Sequence, residues 1–357
     1  AMPEADADAL REKTALLGGY TTGALVAAMM SVGVRLGLYE ALRGAGPSTS
    51  DTLAQATGYQ ERWLREWLRG QAAAGVLEYE GDGKFALPAA SAALLADPTS
   101  LVSMEAMVAS IPDRLALVPR VEESFRTGLG FSVDDRGAAA ARGIDGLFAN
   151  WHRQELLTSA LPLLSGVEER LIAGAVVADV GCGSGVALVE MAKAFPRSEF
   201  HGFDVSQQML TIARRNATQA GLANATFYHL RETSIPDDQR FALVLTFDCL
   251  HDMTNPHETA SAIRSSLQPD GTWFIADIDS RPTFEENLRD NPRAAGSYAI
   301  SVLACLASAL SEPGGAGYGT LGLPEPVMRE LVLEAGFSEF RRLELSGLGS
   351  AFYEARL

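Results

Sequence analysis

At 357 residues the chain is about twice a typical domain, so two domains are expected, each able to bury a core. Its 47% hydrophobic and 21% charged residues have a globular balance, and a net charge of −16 argues against nucleic acid, whose binding is driven largely by phosphate neutralisation. Three cysteines, Cys182, Cys249 and Cys305, stand without paired or metal-ligand spacing, which fits a reducing cytoplasm and no metal site.

The opening residues are acidic and carry no signal-peptide pattern, and Ala1 ahead of Met2 reads as a remnant of cloning. Lys13 and Arg35 bracket 21 uncharged residues. A bilayer span needs about 20 strongly apolar residues. Gly18, Gly19, Tyr20, Thr21, Thr22, Gly23 and Ser31 make this stretch too polar, so a membrane is not an expected partner. Residues 14–45 read instead as one or two buried helices, at a subunit interface for example, ending near Gly44-Ala-Gly46-Pro47. Ser50 or Asp51 caps a short helix that stops at Gly58. A third helix runs from Gln60 to about Ala74, with Trp63, Trp67 and Gln71 on one stripe and Leu64, Leu68 and Ala72 on the next. A hairpin follows, 76–80 and 84–87 about the turn Gly81-Asp82-Gly83. This order is that of a winged helix, within residues 1–99. A DNA reader needs a basic face; here eight Lys/Arg stand against twelve Asp/Glu, a net of −4. The expected role is therefore to pair two subunits into a homodimer and to wall off a pocket.

Residues 100–165 read as helical and irregular, broken at Gly128-Leu-Gly130-Phe131 and Asp134-Asp135, where a lid or substrate wall would fit. From 166 to 357 strands and helices alternate. Strands are expected at 175–180, 199–203 (closed by Asp204), 226–230, 241–247 and 272–278, with a helix at 206–220 ending at Gly221. An inserted helical region covers about 283–312, a last helix 326–335, and two closing strands lie near 338–345 and 350–356. The fold class is α/β: a Rossmann-like, seven-stranded, doubly wound sheet with a reversed C-terminal hairpin, plus the α-rich winged helix.

The chemistry concentrates after the first of these strands, in Asp179-Val-Gly181-Cys-Gly183-Ser-Gly185. Strand, glycine turn and helix form the first crossover of a parallel sheet, where a nucleotide-like ligand approaches bare backbone. A dinucleotide fingerprint is G-x-G-x-x-G, whereas these glycines fall at alternate positions and Val186 stands where the third would be. An acid opening the loop repels phosphate and suits an ammonium and a sulfonium. The pattern resembles motif I of the class I S-adenosylmethionine (SAM) dependent methyltransferases, whose sheet also ends in a reversed hairpin. The resemblance implies S-adenosyl-L-methionine as cofactor: Asp179 on the methionine ammonium, Gly181, Gly183 and Gly185 along the backbone cradle, Asp204 on the ribose hydroxyls, and Val205 and Met209 beside the adenine. Past the third strand the family carries an acid for the adenine amino group. Arg231 occupies that place here, so either Glu232 serves one residue later or backbone holds the adenine.

Phe247-Asp248-Cys249-Leu250-His251-Asp252 follows the fourth strand, whose end faces the ligand crevice of such sheets. His251 titrates near neutrality and can take a proton from a hydroxyl as a methyl arrives. The hexapeptide is similar to the Leu-His-Asp-Trp segment of small-molecule O-methyltransferases, which also carry an N-terminal winged-helix dimerisation domain; that resemblance makes His251 the general base and places Phe247 near the cofactor. Asp252 either orients His251 or caps the next helix. His152, His201, His229 and His257 pair at no ligand spacing. Phe131, Trp151 and Tyr298 are candidates for an aromatic substrate wall or for core. The expected activity is methyl transfer to a small molecule, at a hydroxyl by preference and at nitrogen or carbon otherwise. A SAM-sensing transcriptional regulator and a SAM-binding protein without methyl transfer remain as competing readings.

Overall fold

The computed structural model describes residues 4–345, 347 and 349–357, so Ala1 and Met2 lie outside the described residues. The chain divides into two compact units, meeting at Pro112 and Asp113. The first opens with one continuous helix, α1 (Glu4–Arg35), followed by α2 (Leu38–Leu42), α3 (Ser50–Thr57), α4 (Glu61–Ala73), the hairpin β1 (Glu78–Gly81) and β2 (Lys84–Ala86), α5 (Ala89–Leu95) and α6 (Glu105–Ala109). Thr49, rather than Ser50 or Asp51, caps α3 by accepting the Thr52 N–H, and Gly58 ends it at φ 76°. Leu38, Tyr39, Leu53, Leu64 and Leu68 form the core, with the Tyr39 hydroxyl donating to Gln71 Oε1 at 2.6 Å.

Two expectations for this unit change. The stretch expected to be buried is mostly exposed in α1: Leu16, Leu17, Tyr20, Leu25 and Met29 all face outward, and only the last turns pack, where Trp67 Nε1 donates to the Met29 carbonyl. By length and composition alone α1 is long and apolar enough to cross a bilayer. Trp63, placed on the buried stripe by period, is 80% exposed, because the core takes Trp67 and Gln71 one turn on. Arg62 and Arg65 of α4 are paired with Glu66 and Glu61 of the same helix, at 2.6 Å each, so the face that a DNA reader would need to be basic is internally neutralised.

The second unit begins within α7 (Ile111–Leu115), followed by α8 (Val118–Thr127), a single 3₁₀ turn at Asp134–Arg136, α9 (Ala138–Gln154) and α10 (Val167–Ala173). Then β3 (Val176–Val180), α11 (Val186–Ala194), β4 (Glu199–Asp204), α12 (Gln207–Gln219), β5 (Ala225–His229), β6 (Phe241–Phe247), α13 (Pro256–Ser266) and β7 (Leu267–Ile278) alternate. After these come α14 (Phe284–Asp290), α15 (Ala294–Ile300), a π-helical turn at Ser301–Cys305, α16 (Leu306–Ala309), α17 (Glu325–Glu334), β8 (Glu339–Arg342) and β9 (Ser350–Arg356). The order β5-β4-β3-β6-β7-β9-β8 is parallel except for β9, which runs antiparallel to both β7 and β8. β3 and β6 are buried strands with no polar face, as expected where helices cover both sides of a sheet. β7 starts earlier than the turn residues Pro269-Asp270-Gly271 suggest, and its pairing with β6 shifts between Phe241 and Leu243. The strand order reverses between β3 and β6, and the crevice at that switch point is where such sheets hold ligands.

Candidate active site

A cavity of about 570 Å³ opens at the carboxyl ends of β3, β4 and β6. The loop after β3 forms its floor. Gly181 sits at φ 79°, and a Cβ built there would stand 2.7 Å from Cys249 Sγ, so no side chain fits between this loop and the end of β6. Gly181 and Cys182 both donate to the Phe203 carbonyl, at 2.8 and 3.1 Å, which ties the loop to β4. Asp204 closes β4: its Oδ2 accepts the Gly183 N–H at 2.8 Å and its Oδ1 the Ser206 N–H at 2.7 Å. A carboxylate has about four lone-pair sites, so Asp204 can hold the loop and still receive ligand hydroxyls.

Asp179, Gly181, Gly183, Asp204, Val205, Met209 and Phe247 all line the cavity. Gly185 does not; at φ 72° it starts α11, and a Cβ there would meet Phe227 at 2.7 Å, so it serves packing. Glu232 is exposed and off the wall. His229, Leu230 and Arg231 line that end instead, with Arg231 paired to Glu312 at 3.3 Å. The expected shift of the acid by one residue is therefore not what this structure shows.

The aromatic wall is also rearranged. Phe131 is buried with Leu117 and Ala307, under the Arg120 guanidinium at 5.2 Å. Tyr298 packs on Phe284, and Trp151 stacks on Phe352 behind the wall. None of the three lines the main cavity. Phe148 and His152 do, His152 with its ring 5.2 Å from that of Phe247. Burial first, then the neighbouring Arg153, lowers the His152 pKa to about 4, so it is a neutral imidazole at physiological pH.

Ser132, Val133, Asp134 and Arg136 complete the wall from the middle segment. Asp134 binds the start of α12, accepting from the Ser206 hydroxyl and, at 3.1 Å, from the Gln207 N–H; a carboxylate there complements the helix N-terminus. Arg136, 7% exposed, reaches Asp252 at 3.6 Å. Asp252 thus faces Arg136. The carboxylate on His251 belongs to Asp277, whose Oδ1 lies 2.6 Å from His251 Nδ1 and also accepts the Ile278 N–H.

His251 is 2% exposed and lies just behind the cavity wall rather than on it. Catalytic hydrogen bonds often tighten only with substrate bound, so this depth does not disqualify it. Burial works to lower its pKa, but Asp277 and Cys305 outweigh that and hold it well above the ordinary histidine value. Asp248, on the wall, is pushed up to about 7 by burial and by Asp277 and Asp252, against the pull of His251. Donor atoms of Asp248, His251 and Asp277 lie within 4.8 Å of one another. The 2.6 Å between His251 and Asp277 is nonetheless a hydrogen-bond length; two ligands on one tetrahedral ion with bonds of 2.0–2.2 Å stand roughly 3.3 Å apart.

Sequence reasoning missed Asp248, Asp277, Arg136 and Phe148, and ranked His152 low. For Asp277 a signal existed. β6 and β7 pair in parallel with Phe247 opposite Ala276, so Asp248, the next residue after β6, and Asp277, the next residue along β7, must be neighbours.

A doubly wound sheet with an inserted antiparallel strand, an acid-led glycine loop and a carboxylate at the next strand end define a SAM-dependent methyltransferase. Residues 172–320 match the family described as methyltransferase domain, and 24–97 the Rv2258c-like winged HTH domain. The chain is 30% identical over 279 residues to the mitomycin biosynthesis 6-O-methyltransferase of Streptomyces lavendulae, spanning 73% of this chain and 76% of that protein. The solved mitomycin 7-O-methyltransferase superposes with a TM-score of 0.67 at 24% identity over 99% of each chain. Human N-acetylserotonin methyltransferase, solved with SAM, gives 0.68 at 16% identity, over 96% of this chain and 97% of its own. The chain belongs to the SAM-dependent O-methyltransferases of the natural-product type, and S-adenosyl-L-methionine is its cofactor.

Proposed function

We propose that the enzyme methylates a hydroxyl of a small molecule in natural-product metabolism, with His251 as general base. The observation that carries this reading is one cavity bounded both by the glycine loop with Asp204 and by the hexapeptide ending β6, backed by a histidine bonded to a buried carboxylate. Bound SAM supplies an electrophilic methyl on a positively charged sulfur. Asp179 and the backbone at Gly181 and Gly183 hold the amino-acid end, Asp204 the ribose, and Val205 and Met209 the adenine side. Phe148 and His152 pack the acceptor so that its oxygen meets the methyl in line, where positioning alone contributes much of the rate. Asp277 holds the His251 ring at Nδ1 and raises its pKa, so the hydroxyl proton is taken by the neutral form of His251, whose share grows with pH.

The test is incubation of the enzyme with SAM and an extract of small molecules, followed by mass spectrometry for products heavier by one methyl replacing hydrogen. Chemical degradation then separates O- from N- and C-methylation. His251→Ala should lower turnover by about 10²-fold or more while S-adenosylhomocysteine still binds; turnover within a factor of two removes the base assignment. We further infer that residues 1–99 pair two copies through the uncovered apolar face of α1, with 100–165 as substrate wall and 166–357 as the catalytic domain, in the cytoplasm. Glutamate at Leu17 and Tyr20 should yield monomers on sizing without detergent, and an unchanged dimer would refute the pairing.

A further inference from the structure

At one end of the cavity an exposed ion pair stands on the wall without a task in the methyl-transfer reading. The strand order β5-β4-β3 gives the direction in which a nucleoside lies there. The glycine loop follows β3 and Asp204 closes β4. With the amino-acid end at the loop and the ribose at Asp204, the base extends towards the end of β5. Asp204 and His229 are register partners, so Arg231 stands two residues past the position beside the ribose acid. His229, Leu230 and Arg231 line the cavity there, and Glu312 joins them from the turn beyond α16.

An adenine presents an amino donor beside an acceptor ring nitrogen. The main chain at the end of β5 has no N–H left for that acceptor. Leu230 donates to the Asp204 carbonyl at 2.9 Å, Arg231 to His229 Nδ1 at 3.2 Å, and Glu232 and Thr233 both to the His229 carbonyl at 2.9 Å. Because His229 Nδ1 accepts, the ring proton stands on Nε2, so this side chain has no acceptor for an amino group. Glu232 is exposed and off the wall. Asp134 is spent on the start of α12, where it accepts from Ser206 and Gln207.

Glu312 remains. Its Oε1 lies 3.3 Å from Arg231 Nη2, and both side chains are more than half exposed. An ion pair so exposed adds little to stability. A guanidinium carries five N–H donors and a carboxylate about four lone-pair sites, so one contact leaves each partner a free edge. Neither side chain makes another hydrogen bond among the described residues. The turn that carries Glu312 is itself held: Gly315 donates to the Glu312 carbonyl at 3.1 Å, and Ala316 to the Thr254 carbonyl at 2.8 Å.

We propose that Glu312 and Arg231 read the base of the cofactor as one unit: the Glu312 carboxylate accepts from the adenine amino group, and the Arg231 guanidinium donates to a ring nitrogen beside it. This rests on the cofactor placement proposed above and deepens it, because it supplies the base contact for which neither Glu232 nor the main chain is placed. The pair offers one acceptor and one donor side by side, the complement of what adenine presents, and hydrogen bonds to charged groups are the stronger kind. An oxo group in place of the amino group would set a lone pair against the carboxylate. Cofactor specificity then depends on the segment between β7 and α17, far from the glycine loop in sequence.

The test is calorimetric titration of the full-length enzyme with S-adenosylhomocysteine and with S-inosylhomocysteine, in which an oxo group replaces the amino group and the adjacent ring nitrogen carries hydrogen. Wild type should bind the adenosyl form about 10-fold tighter or more. In Glu312→Gln the amide can turn to accept from an amino group or to donate to an oxo group. The preference should therefore fall to within threefold, with the melting temperature of wild type. Arg231→Met should weaken S-adenosylhomocysteine about 10-fold. Asp204→Asn checks the placement separately and should weaken both ligands alike. If it leaves both unchanged, the ribose placement falls and this proposal with it. If Asp204→Asn weakens both, the proposal alone is wrong on any of three results: wild type does not distinguish the ligands, Glu312→Gln keeps the full preference, or Arg231→Met binds S-adenosylhomocysteine within threefold of wild type. The pair would then be a clasp at the cavity mouth and nothing more.

Discussion

Replacing Gly181 by alanine tests whether the glycine loop is shaped by closeness to β6. Two costs add at this position. A residue with a Cβ at φ 79° carries about 1–2 kcal/mol of backbone strain. The new methyl would also stand 2.7 Å from Cys249 Sγ and 2.8 Å from Cys249 Cβ, well inside ordinary contact of about 3.5–4.0 Å. Relieving such an overlap in a packed site costs about 1–3 kcal/mol. The sum, about 2–5 kcal/mol, appears as lower stability or as a displaced loop with poorer cofactor binding, about 30- to 5,000-fold if all of it falls on affinity. Calorimetric titration with S-adenosylhomocysteine and a thermal melt measure the two shares. Gly70→Ala is the control: nothing lies within 4 Å of its would-be Cβ, and inside α4 the change should stabilise by about 0.5–1 kcal/mol. A Gly181→Ala enzyme that binds within threefold of wild type and melts unchanged would refute the close-approach argument.

Two further predictions concern protons. His152 has a pKa of about 4 in the fold against 6.5 for a free histidine, so the unfolded chain binds more protons between those values. Its contribution, of order 3 kcal/mol, is complete above about pH 6.5 and lost as pH falls towards 4. His152→Phe should flatten the fall in melting temperature over that window, and parallel pH curves for variant and wild type would count against it. His251 has the opposite sign. Asp277 is a main cause of its raised pKa, so Asp277→Asn leaves burial to dominate and should bring the imidazole titration down in an NMR experiment; an unmoved titration would mean that Asp277 is not its partner.

The sheet was readable from the sequence because its signals are local: buried β-branched runs, Asp179 ahead of alternate glycines, and Gly221 ending a helix. The proposed cofactor half of the cavity followed, since Asp179, Gly181, Gly183 and Asp204 line it from the backbone turn on which they sit. The acceptor half did not. Asp277 meets His251 from a strand 26 residues on, and Arg136 reaches Asp252 across more than a hundred residues of chain, so neither pair has a spacing to recognise. Phe131, Trp151 and Tyr298 were chosen by aromatic character, which serves core and pocket equally. α1 misled in another way: its composition is that of a buried helix, but among the described residues only its last turns are covered within one chain.

The position of β9 bears on how the catalytic unit is made. It lies between β7 and β8, seven of its positions opposite β7 and four opposite β8, so an interior strand is the last of this sheet's strands to be synthesised. About 70 residues separate the end of β7 from the start of β9, on the order of ten seconds of translation. Throughout that interval the Thr272–Ile278 edge has no neighbour, and an unpaired, apolar edge invites association with other chains. The nascent sheet is most exposed to aggregation just before β9 is made, and overproduction is the circumstance in which that interval matters most.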